Sequence, residues 1–152
     1  MTTLASIRPD SWNFPLFLHV FGAMLLVGAT LTSASVLAYA RGDARLLRLG
    51  YWTLLAVGLP GYLVMRIGAE WIADKWGLNE EGAEEPAWIG IGYAVADAGL
   101  LVLAIALVVG GVGVYRLRSG RGAGLLMGTL GLTLILLFAY VVAIWAMSGK
   151  PE

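Results

Sequence analysis

Residues 14–40 read FPLFLHVFGAMLLVGATLTSASVLAYA, and from Ser11 to Ala40 there is no Asp, Glu, Lys or Arg. A helix rising 1.5 Å per residue needs roughly 20 apolar residues to cross the hydrocarbon of a bilayer, and this stretch is long enough. Pro15 falls in the opening turn, where its missing N–H is no loss. The lead-in MTTLASIRPDSWN sets one arginine against one aspartate. The apolar run that follows is longer than the core of a cleaved leader, so it is read as a span of the mature chain.

Outward from this stretch, charges punctuate three more apolar segments. One covers about residues 49–71 and holds Arg66 and the pair Pro60–Gly61, which removes a backbone donor and is expected to kink the helix. The next, about 88–115, is interrupted only by Asp97, and the last, about 124–147, carries no charge. The chain is 59% hydrophobic and 13% charged, with a mean hydropathy of +0.81; its solvent is lipid. Lipid leaves no backbone group unpaired, so the Val and Ile content does not signal strands. The expected fold is all-α: residues 1–152 as one polytopic membrane domain, a four-transmembrane-helix bundle in a lipid bilayer. Zero net charge, with the basic residues in separate loops, argues against a nucleic-acid partner. With no cysteine there is no disulfide, thiol redox chemistry or thiolate metal site.

Short loops rich in Lys and Arg stay cytoplasmic. The first connection holds Arg41, Arg45 and Arg48, and the third Arg116, Arg118 and Arg121. The second, ADKWGLNEEGAEEP, sets Lys75 against Asp74, Glu80, Glu81, Glu84 and Glu85, and so faces outward with Arg8 and Lys150 near the termini. This places both termini on the non-cytoplasmic side of a bacterial inner (plasma) membrane. Trp12, Trp71, Trp76, Trp88 and Trp145 then mark the outer boundary, and Tyr39, Tyr51, Trp52 and Tyr115 the inner one.

In lipid, helices adhere through small residues. Gly124 and Gly128 form a GxxxG pair with Gly131 one turn on, and Gly28, Thr32 and Val36 follow a similar line. Both are expected to pack within the bundle, a homodimer seam being the alternative. The face formed by His19, Gly22, Ala23, Leu26, Thr30 and Ser33 should look into the bundle.

The candidate site is a set of polar residues inside the spans. At 1.5 Å per residue, His19 and Arg66 lie about 7 Å from the outer ends of their helices, Tyr140 about 10 Å and Asp97 about 13 Å. Tyr62, Arg66 and Glu70 share one helix face at i, i+4 spacing, and Tyr93 and Asp97 share another. An unpartnered Arg or Asp in hydrocarbon costs on the order of 3 kcal/mol, so Arg66 is expected to pair with Asp97. Such a pair either fixes the register of two helices or, with His19, handles protons, binds an ion or holds an anionic ligand. His19 is read as an interior hydrogen-bonding residue, with a proton relay or ligation of haem or copper as alternatives. Met24, five residues on, lies on another face of the same helix. No catalytic triad, phosphate loop or dedicated metal site is expected.

The opening of the first span, LHVFGAMLLVGATL, resembles the pattern of small bacterial four-span membrane proteins. These include uncharacterised families and, more distantly, CopD-like copper-resistance proteins and HemJ-like protoporphyrinogen oxidases. RLLRLGYWTLLAVGLPGYLVMR is similar to their second span, so the likeness covers roughly the first half of the chain. It implies a four-helix bundle with His19 near the functional centre. Haem-dependent members would be expected to offer further ligands, and this chain has no second histidine. Three functional expectations follow: a small transport or proton-linked protein, a non-catalytic subunit of a larger membrane complex, or a haem or redox enzyme.

Overall fold

Asp43 sets where the second helix begins. Its carboxylate accepts the backbone N–H groups of Arg45 at 2.7 Å and Leu46 at 3.3 Å, capping donors that the first helical turn leaves unpaired. The chain reaches this cap through Arg41 and Gly42, both at positive φ, so the first connection is a tight turn. Arg45 and Arg48 therefore lie on the helix and not in the loop where the charge pattern placed them.

The computed structural model describes residues 10–78 and 86–149. Arg8, Lys150, Glu80, Glu81, Glu84 and Glu85 lie outside the described residues. Helix α1 spans Asn13–Tyr39, α2 Ala44–Lys75, α3 Ala87–Arg116 and α4 Ala123–Gly149. All four are long and apolar enough to cross a membrane, and among the described residues there is no strand. The chain is an all-α, multi-pass membrane protein. Pro15 sits buried in the first turn of α1. Pro60 is accommodated by a π-turn over Leu54–Gly58, in which Leu59 N–H reaches back five residues to Leu54 O. A wider turn just before a proline absorbs the donor it lacks.

Gly22, Gly61 and Gly68 bring α1 and α2 together backbone to backbone. A Cβ on Gly22 would collide with the Met65 backbone and one on Gly68 with the His19 backbone. Helices α3 and α4 run antiparallel in steady register: Gly92 faces Met147, Gly99 faces Tyr140, Gly110 faces Thr129 and Gly113 faces Leu126. The buried positions of α3 (Ile89, Gly92, Ala96, Gly99, Leu103, Ala106, Gly110, Gly113) alternate three and four apart, the seam of a left-handed helix pair. Helix α1 also packs on α4, while α2 meets α3 chiefly near the arginine-bearing end, where Tyr51 lies on Gly110 and Gly111. In the other half of the bundle α2 touches α3 at few points.

The glycine lines singled out above are not the packing faces. A Cβ on Gly28, Gly124 or Gly131 would meet nothing within 4 Å, and one on Gly128 only Val109 at 3.9 Å. The inward face of α1 does hold, with Gly22, Leu26, Thr30 and Ser33 buried. Tyr51 is a second correction: it is buried, because glycines on α3 make room for its ring. Tyr39, Trp52 and Tyr115 stay exposed. At the other end Trp12, Trp76 and Trp88 meet in turn with ring centroids 5.9 Å apart, tying together α2, α3 and the lead-in to α1.

Candidate functional site

Arg66 is the centre of the polar set. From the face of α2 its guanidinium pairs with Glu70 at 2.9 Å, one turn along the same helix. It reaches across to Asp97 on α3 at 3.2 Å. The guanidinium carbon stands 4.9 Å from the centre of the Tyr93 ring, one turn before Asp97, a cation–π distance. Tyr62, one turn before Arg66, donates its hydroxyl to Ala96 O at 3.3 Å. The i, i+4 spacing thus delivers Tyr62, Arg66, Glu70, Tyr93 and Asp97 to one place, where α2 and α3 otherwise hardly touch. Arg66 and Asp97 lie about 14 Å below the tryptophan cluster at 1.5 Å of rise per residue.

Two features set the chemistry. One guanidinium serves two carboxylates, so the trio carries a net negative charge unless it also holds a proton or a cation. The site is also open at the protein surface: the Asp97 side chain is 65% exposed and that of Glu70 47%, against 28% for Arg66. A carboxylate at that depth facing bare hydrocarbon is strongly disfavoured. Water, a lipid headgroup or a partner must reach it.

His19 and Tyr140 stand apart from the charges. His19 Nδ1 lies 3.1 Å from Met65 O; a carbonyl can only accept, so this contact places a proton on Nδ1. Met65 belongs to the face of α2 that packs on α1, about 100° around the helix from Arg66. Tyr140 shares a buried cluster with Tyr62 and packs on Gly99. Its hydroxyl is buried and has no hydrogen-bond partner among the described residues.

Among the described residues no three His, Cys, Asp or Glu side chains gather as they would around a metal ion. His19 Nε2 is chemically able to ligate copper or haem iron, and a backbone acceptor on the other nitrogen is a usual support for such a ligand. A porphyrin does not fit between α1 and α2 at this level, because the backbones touch at Gly22 and Gly68. Met24, 69% exposed, points away from the bundle.

Comparison with known proteins finds no family model, no curated protein and no solved structure that matches the chain.

Sequence reasoning missed the two backbone acceptors, Met65 O and Ala96 O, since no residue type announces a carbonyl. It also missed the Arg66–Tyr93 contact, although the position of Tyr93 one turn before Asp97 was its signal.

Proposed function

We propose that this chain is a small proton-linked protein of a bacterial inner membrane, with both termini outside and a working site at Glu70–Arg66–Asp97. The observation that carries this reading is the single cation between two carboxylates, placed deep within the spans and open at the surface. One proton held between the two carboxylates makes the trio neutral. Water entering from the near end of the bundle supplies and removes that proton. Tyr62 and Tyr93 hold the two helices at the distance this requires. The test is proton flux into liposomes containing the purified protein and a trapped pH-sensitive dye. Wild type is expected to exceed empty liposomes, and D97N to fall to their level. Wild-type flux no greater than that of empty liposomes would count against a transport role.

The exposure of Asp97 favours a second reading, a non-catalytic subunit whose carboxylate is covered by a basic residue of a larger complex. That reading expects a stoichiometric partner to co-purify with wild type and to be lost from D97N, without proton flux in either.

A further inference from the structure

At the opposite end of the bundle, α2 and the close of α3 border a cavity of about 390 Å³. Two arginines line it, Arg48 from α2 and Arg118 from the turn after α3. Tyr51 and Gly111 form its floor, and Trp52 and Tyr115 flank it. The floor is open because position 111 is glycine: a Cβ there would lie 3.1 Å from the Tyr51 hydroxyl. That hydroxyl makes no hydrogen bond to another described residue.

The charge here is unbalanced. Among the described residues the ion pairs are those of Arg66, so neither Arg48 nor Arg118 meets a carboxylate. Asp43 is the one acid near Arg41, Arg45, Arg48, Arg116, Arg118 and Arg121, and its carboxylate caps α2. Two arginines with no carboxylate partner and a tyrosine, all lining one groove, offer a donor set for a phosphate.

We propose that this groove binds the headgroup of an anionic phospholipid. A lipid is favoured over a soluble phosphate by what surrounds the donors. Exposed Trp52 and Tyr115 are residues of a membrane boundary. From Gly111 and Tyr115 the same side of α3 continues through exposed Val108 and Val112, a path for an acyl chain. Basic pockets between spanning helices take anionic headgroups in this way. The site is independent of the Arg66 cluster.

The test is native mass spectrometry of the full-length protein in micelles doped with phosphatidylglycerol or phosphatidylcholine. Wild type is expected to retain phosphatidylglycerol preferentially, and R48Q/R118Q to bind it about 30-fold more weakly, from two arginine–headgroup contacts. The pair R41Q/R121Q removes the same charge outside the groove and is expected to change binding little. G111L fills the floor without altering charge and should also weaken binding; if it fails to fold, the arginine pairs still decide. Equal retention of the two lipids, or equal loss in both arginine pairs, would overturn the proposal. So would displacement of the lipid by millimolar inorganic phosphate, which would make the occupant a soluble anion.

Discussion

Helix α2 meets its two neighbours in opposite ways. Against α1 it uses glycine, with Gly22, Gly61 and Gly68 letting backbones touch and no charge involved. Against the tryptophan-bearing half of α3 it uses Arg66, Asp97, Tyr62 and Tyr93, with little packing between the helices. Dispersion at a glycine contact grows with close approach and needs no hydrogen bond. A polar bridge across a sparse contact gives less adhesion per residue and brings the difficulty of charge in lipid. The first contact is what a stable bundle needs. The second adds less adhesion, and in the reading proposed above its charges serve proton chemistry more than packing.

Substitutions can break this contrast, beginning with the glycine contact. Gly22→Leu has no space to occupy because the obstacle is backbone, and is expected to destabilise by about 3 kcal/mol or to prevent accumulation. Denaturant unfolding in micelles, followed by circular dichroism, reads this. Arg66→Leu leaves two carboxylates without a cation and should lose about 2–3 kcal/mol at neutral pH. Protonation neutralises those carboxylates, so the deficit should shrink as pH falls; a deficit that grows on acidification would contradict the charge argument. His19→Ala removes the Met65 contact, for about 1 kcal/mol in the same assay.

Asp97→Asn leaves Arg66 paired with Glu70 and should change stability by about 1 kcal/mol or less. A loss matching that of Gly22→Leu would make the α2–α3 bridge structural. The smallest effect is expected at Gly131→Ala, whose methyl group meets nothing. A better helix former there should leave stability unchanged or raise it by up to about 1 kcal/mol. If it destabilises the protein, the outer glycine line is a contact after all.

Most of the fold is legible in the sequence because lipid allows few solutions. Charges mark the ends of apolar runs, and backbone pairing makes those runs helical. The start of α2 was misplaced because Arg45 and Arg48 were counted as loop; Asp43 ahead of a leucine-rich run was the capping signal to weigh. The glycine faces were misread because GxxxG spacing is only one route to close approach. Gly92, Gly99 and Gly113, with Ala106 completing the seven-residue spacing, were as visible in the sequence as Gly124 and Gly128. For the site, spacing within each helix grouped Tyr62, Arg66 and Glu70, and Tyr93 with Asp97. Spacing says nothing about rotation between helices, which is why His19 fell on the wrong side of α2 and Tyr140 in the core.

The central claim is that the Glu70–Arg66–Asp97 trio keeps and exchanges one proton. The most direct measurement is a pH-difference infrared spectrum of the protein in lipid nanodiscs, with D97N and E70Q beside wild type. The account predicts a protonated-carboxyl C=O band in wild type that disappears as pH rises and is lost or shifted in D97N. If wild type shows no protonated carboxyl assignable to Asp97 or Glu70 at any pH where the fold persists, both groups are permanently ionised, and the trio is a structural salt bridge.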